Sequence, residues 1–204
     1  ANTGYPRTQI SEPAFVGGPC LHKDPHILQE SLTQYDYVPK LIRQGRTLNE
    51  SLPSYICDRL AETKVVADGG KDTKISILGL AFKGRPENND TRASPSLDVL
   101  ACLRQRYPEA MICGHDFAID NRTISKFGIT PVDLEQAFDG ASVIIVANNN
   151  QKYEWIDLDT LAMSMATPAV IYDIWSVLPA YRGSYSDDKL KFLHLGKGTQ
   201  QKPS

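Results

Sequence analysis

The chain of 204 residues is predicted to adopt an α/β fold, a doubly wound and mostly parallel Rossmann-like sheet preceded by a helical segment. Three observations carry this. After residue 74, short and nearly continuous apolar runs alternate with helical patterns, as strands buried on both faces require. Before it the apolar spacing is helical, with no strand signal. Between the two, Asp68-Gly-Gly-Lys-Asp-Thr73 is dense in turn formers and sets a boundary that divides the chain into 1–70 and 71–204.

Residues 1–24 read as loop. From Pro25 to about Val66 the pattern is helical: Ile27, Leu28, Leu32 and Tyr35 share one face, and Leu52, Tyr55, Ile56 and Leu60 another. The stretch Asn49-Glu-Ser-Leu-Pro-Ser54 offers cap residues, so the second helix is expected to start after it. Lys74–Leu80 is the first strand. Ser94-Pro95 then opens a helix, with serine at the cap and proline first, running to about Tyr107. A strand at Ala110–His115, a short helix at Leu134–Phe138 and a strand at Ser142–Ala147 follow. A helix at Leu158–Met165 and strands at Ala169–Asp173 and Lys191–Leu195 complete the series. Such alternation is what a parallel sheet with crossover helices produces.

Composition narrows the function. Hydrophobic residues make up 41% and charged residues 23%, with a net charge of −2. No basic field is available to recruit nucleic acid, and basic residues are not interleaved with aromatics. No apolar run approaches the roughly 20 residues that cross a bilayer, so neither nucleic acid nor membrane is an expected partner. Cys20, Cys57, Cys102 and Cys113 are far apart, without the pairing of a zinc site or a disulfide framework. A cytoplasmic protein without a metal site is expected.

Two runs of residues carry chemistry. Gly17-Gly-Pro-Cys-Leu-His-Lys-Asp-Pro25 places a thiol after a glycine pair, with Lys23 and Asp24 within a helical turn. A thiolate is a strong nucleophile, and a nearby cation or helix N-terminus favours its formation. The second run is the loop after the first strand, Gly79-Leu-Ala-Phe-Lys-Gly-Arg-Pro-Glu-Asn-Asn-Asp-Thr-Arg-Ala-Ser-Pro95. Ligands of doubly wound folds gather at such strand ends. Lys83, Arg85 and Arg92, ahead of a helix N-terminus, suit phosphate. A solvated loop with incidental cations is the alternative reading.

Together, in this order, the two motifs resemble the UDP-glucose/GDP-mannose dehydrogenase family, the NAD-dependent nucleotide-sugar 6-dehydrogenases. The resemblance spans almost the whole chain. It implies that residues 1–70 hold the catalytic cysteine loop and a helical remnant of the central dimerisation domain, and that 71–204 form the C-terminal UDP-binding domain. The main NAD site and an oxyanion-stabilising lysine and asparagine would precede residue 1. This chain alone is then expected to be inactive, and the full-length protein a homodimer.

By the same resemblance Cys20 is the nucleophile, which traps the C6 aldehyde and is acylated to a thioester. Asp24 supports water activation and Lys23 lies near the cofactor. Gly17 and Gly18 let the loop wrap the sugar, and Phe82 and Lys83 contact the nucleotide sugar. Arg92 reaches the cofactor, with Arg85 a competitor because the Lys83–Arg92 spacing is longer than in commoner members and the loop bulges near Gly84. Arg7, in Tyr5-Pro-Arg7, resembles an arginine that crosses the dimer to the substrate; a surface arginine is the other reading. Asp116, followed by Phe117 where the family has proline, either caps or binds base or ribose. His22 and His26 are read as non-catalytic, and Trp155 and Trp175 as packing residues. The substrate would be UDP-glucose, a UDP-N-acetylhexosamine or similar, with a slight lean to the N-acetylhexosamine type, for polysaccharide synthesis. A non-catalytic nucleotide-sugar-binding or dimerisation module is the rival from another class.

Overall fold

The computed structural model describes residues 14–196. Two helices, α1 (Asp24–Thr33) and α2 (Lys40–Glu62), precede the sheet. Strand β1 (Lys74–Leu78) leads through a long loop to α3 (Pro95–Arg106), then β2 (Met111–His115), α4 (Asn121–Lys126), β3 (Thr130–Pro131) and α5 (Leu134–Phe138). Strand β4 (Val143–Val146), a 3₁₀ turn at Gln151–Trp155, α6 (Leu158–Met163), β5 (Ala169–Asp173) and β6 (Leu190–His194) follow.

All six strands among the described residues are parallel, in the order β3-β2-β1-β4-β5-β6. The order reverses between β1 and β4, and their carboxyl ends make the crevice where such sheets bind ligands. Every side chain of β4 is buried, and each fully buried valine or isoleucine contributes roughly 1.5–3 kcal/mol. One face of the sheet, through Ile75 and Ile77, packs with Val99 and Leu103 of α3 and with Ile56 and Leu60 of α2. The other, through Leu78, Ile144 and Val146, meets Phe138 of α5 and Ala162 of α6. The Rossmann-like expectation holds, and the sheet is parallel throughout.

Four details differ from the sequence reading. Helix α2 begins at Lys40, so Asn49–Ser54 lies inside it and Pro53 is an internal proline. Burial of Ile56, Cys57 and Leu60 on its inner face outweighs the missing N–H of Pro53. The short α4 and β3 were not expected; neither is long enough to show a period. Ser94 stands at the cap position of α3 with Pro95 in the first turn, yet its buried hydroxyl makes no cap bond and has no hydrogen-bond partner among the described residues. Trp155 does not pack, being 78% exposed, whereas Trp175 is partly buried and donates Nε1–H to the Ala147 carbonyl at 3.0 Å.

Candidate active site

The residues around Cys20 form a turn that runs into α1. The Cys20 carbonyl accepts the N–H groups of Lys23 at 3.0 Å and Asp24 at 2.9 Å, which sets the exposed thiol at the mouth of the helix. The two glycines ahead of it are contact residues. A Cβ on Gly17 would lie 2.4 Å from Pro95 Cδ and 2.8 Å from the Ala93 carbonyl. Gly18 has φ +94°, a conformation L side chains rarely adopt, and its Cβ would meet the Phe82 ring at 2.8 Å. Its N–H donates to the Ala93 carbonyl at 2.9 Å. The cysteine loop therefore docks on the β1–α3 loop, and the two sequence motifs meet in space.

The β1–α3 loop is held from below by side chains that close the switch point. Asp116, at the end of β2, is buried; its Oδ2 accepts the N–H groups of Leu80 at 2.6 Å and Ala81 at 3.0 Å, and its Oδ1 that of Ala118 at 2.8 Å. It acts as a cap, the first of the two roles expected for it. Asn148 fills the space over Gly79, where a Cβ would lie 2.4 Å from its side chain. Asn149 Oδ1 accepts the N–H groups of Gly84 at 2.8 Å and Arg85 at 3.1 Å, and Asn150 Nδ2 donates to Glu87 at 2.9 Å. The N–H groups of Leu80, Ala81, Gly84 and Arg85 are thus taken up by Asp116 and Asn149. The Asn148–Asn150 run went unread in the sequence, although three asparagines at the carboxyl end of an apolar strand are a usable signal.

Lys23 Nζ lies 2.5 Å from Asp24 Oδ1, and this hydrogen bond and charge hold the ammonium above its ordinary pKa. Arg92 is clamped by Asp90, with Nη2 at 2.7 Å and Nε at 3.0 Å, which likewise raises it. Arg85 instead pairs with Glu154 and bonds the Asn149 carbonyl, away toward the 3₁₀ turn. Of the two candidates, Arg92 keeps its guanidinium exposed beside Asp90, ahead of α3. Lys83 Nζ lies 5.3 Å from the centroid of the Phe82 ring, on the ring that seats Gly18. Among the expected positions, Tyr5 and Arg7 lie outside the described residues.

The sequence reading also missed three residues of α2. Asn49 Oδ1 accepts the Val16 N–H at 2.7 Å, and its Nδ2 donates to the Val16 carbonyl at 2.9 Å. Arg46 Nη1 reaches the Leu21 carbonyl at 3.4 Å and Arg46 Nη2 pairs with Glu50 at 2.8 Å. Glu50 also meets His26 Nε2 at 2.9 Å; these two partners, Arg46 foremost, hold its carboxyl below the usual range.

Residues 76–180 match the model of the UDP-glucose/GDP-mannose dehydrogenase family, UDP binding domain. The chain belongs to this family. It is 31% identical over 174 residues to the UDP-N-acetyl-D-mannosamine dehydrogenase of Pyrococcus horikoshii, an alignment covering 84% of this chain and 38% of that one. Identity to the UDP-N-acetyl-D-glucosamine 6-dehydrogenase of Salmonella typhi is 28%, over 82% of this chain and 39% of the relative. The solved structure of the Pyrococcus horikoshii UDP-D-ManNAc dehydrogenase superposes with TM-score 0.75 at 27% identity, over 94% of this chain and 41% of that one. That of the UDP-N-acetyl-mannosamine dehydrogenase of Staphylococcus aureus gives 0.67 at 26%, over 93% and 40%. The chain thus spans about two fifths of these family members.

Proposed function

We propose that this chain supplies the thiol and the nucleotide-sugar site of an NAD-dependent nucleotide-sugar 6-dehydrogenase, which oxidises the C6 alcohol of a UDP-sugar to the acid through a thioester on Cys20. The single observation that carries it is the docking of Gly17 and Gly18 on Phe82, Ala93 and Pro95, which brings an exposed thiol to the ligand end of a UDP-binding domain. The relatives named for UDP-N-acetylhexosamines support a substrate of that type.

In this reading Cys20 Sγ attacks the C6 carbonyl carbon of the bound aldehyde, giving a thiohemiacetal whose oxygen carries the proton. The dinucleotide, when bound, supplies the hydride acceptor for both oxidations, and its main site lies outside the described residues. As the hydride departs, the hydroxyl proton passes to solvent and the acyl group remains on Cys20 as a thioester. Water then attacks it, its proton passing to the Asp24 carboxylate, and the thiolate leaves. Lys23, paired to Asp24, steadies the departing sulfur. Phe82 and Lys83 meet the nucleotide, and Arg92 meets the cofactor's anionic edge.

We place the junction between the helical part and the UDP-binding domain near residue 70. The helical part also leaves Tyr35, Tyr37 and Leu48 exposed, with Leu41 at 89%, an apolar surface of the kind that pairs with a second copy. A homodimer, a cytoplasmic location and a role in polysaccharide synthesis complete the proposal. No helix among the described residues is long and apolar enough to cross a membrane. The test is Cys20→Ser in the whole enzyme: acid formation is lost while UDP-sugar binding survives. Acid formation at the parent rate would leave a nucleotide-sugar-binding module as the better reading.

A further inference from the structure

We propose that one face of α2, carried by Arg46, Asn49 and Glu50, positions the cysteine loop, so that Asn49 and Arg46 set where the thiol meets the aldehyde. This rests on Cys20 being the nucleophile.

The three residues have the i, i+3, i+4 spacing that puts side chains on one helix face. Two of them bond the backbone of the loop on opposite sides of the thiol. Asn49 pairs with both the N–H and the carbonyl of Val16, as a neighbouring strand would, at 2.7 and 2.9 Å. Arg46 reaches the carbonyl of Leu21, the residue after Cys20, at 3.4 Å. Phe15, buried in the core, anchors the chain just ahead of the Asn49 clamp.

Arg46 is only 7% exposed, and a guanidinium is expensive to bury unless its donors are used. Its Nε and Nη2 both bond Glu50, at 3.3 and 2.8 Å, which fixes the side chain with Nη1 toward the loop. Glu50 also holds His26, so α1, which begins after Lys23, is tied to the same face. From the other side Gly18 donates to the Ala93 carbonyl. The loop is therefore spanned between α2 and the β1–α3 loop, while the Cys20 side chain stays exposed. A set that served only to join α1 to α2 would not need bonds to Val16 and Leu21, which lie in neither helix.

The thiol is used in forming the acid and not in the first oxidation, which separates positioning from general stability. Asn49 is on the partly exposed side of α2, so its loss leaves the core intact. In Asn49→Ala, acid formation by the whole enzyme falls on the order of 10- to 100-fold, as an ångström-scale misplacement of a reacting group does. Aldehyde, trapped as its semicarbazone, forms near the parent rate. Asn49→Asp keeps the acceptor for the Val16 N–H and recovers part of the loss. In the 204-residue chain, amide exchange at Val16 and Gly18 quickens in Asn49→Ala. An unchanged ratio of acid to aldehyde in Asn49→Ala overturns the inference. So does an equal fall in both products together with a lowered melting temperature, which marks Asn49 as merely structural. Cys20→Ser, run in parallel, keeps the two levels apart: acid made at the parent rate by that variant removes the nucleophile reading itself.

Discussion

Replacing Asp116 by asparagine separates a backbone clamp from a ligand-binding carboxylate. The buried carboxylate accepts three N–H groups, two on Oδ2 and one on Oδ1. Asparagine retains a single acceptor oxygen. In its better orientation the oxygen faces Leu80 and Ala81, and the amide nitrogen then points its hydrogens at the Ala118 N–H. One half-buried donor is stranded, at a cost of about 1 kcal/mol, and the two remaining bonds lose their charge assistance. The expected loss is about 2–4 kcal/mol. At a urea slope of about 3 kcal/mol per M the unfolding midpoint drops by roughly 1 M. Urea unfolding followed by circular dichroism reads this directly, and calorimetric titration with UDP reads the alternative role. The clamp account requires a lowered midpoint with UDP affinity retained in buffer, where the variant is still folded. An unmoved midpoint with weakened UDP binding would refute it and return Asp116 to the base or ribose.

Gly17→Ala puts a methyl group 2.4 Å from Pro95 Cδ, and overpacking of this kind costs about 1–3 kcal/mol. The loop is expected to relieve it by undocking, so the Gly18 amide exchanges faster while the global urea midpoint hardly moves; an unchanged Gly18 exchange rate would count against the docked arrangement. His115 is buried beside Tyr153, with Nδ1 at 3.1 Å from its hydroxyl, and desolvation holds the imidazole below its ordinary pKa. An unfolded histidine titrates near ~6.5, so below that pH the unfolded chain takes up a proton that the native one refuses. The stability tied to neutral His115 is therefore complete above about 6.5 and is lost as the pH falls from there toward the depressed native value. Comparing urea midpoints of the parent and His115→Asn from pH 7 to pH 5 tests this; parallel lines would remove the assignment.

The five longer strands were legible because burial on both faces leaves continuous apolar runs, as in Val143–Val146, whereas α4 and β3 are too short to show a period. What failed was local reading of residues whose partners are distant. Asn49 and its neighbours have the composition of a helix cap, since short polar side chains compete with the backbone outside helices. Here Asn49 sits within α2 and bonds Val16, which no spacing rule can foresee. The glycine pair, expected to let its loop wrap the sugar, also lies in close contact with Pro95 and Phe82, neighbours that spacing does not show. The Lys23–Asp24 pair and the place of Arg92 ahead of α3 were visible because these residues are neighbours in sequence. The Asp90 clamp on Arg92 is equally local but needed coordinates to distinguish it from Arg85 with Glu154.

The central claim is a covalent bond to one sulfur atom. Acid quenching of the whole enzyme during turnover with a UDP-N-acetylhexosamine and NAD, followed by peptide mass analysis, tests it most directly. The account predicts an acyl adduct on the peptide that contains Cys20, absent without NAD and absent in Cys20→Ser. Steady formation of the acid with no adduct at Cys20, and an undiminished rate in Cys20→Ser, would contradict it.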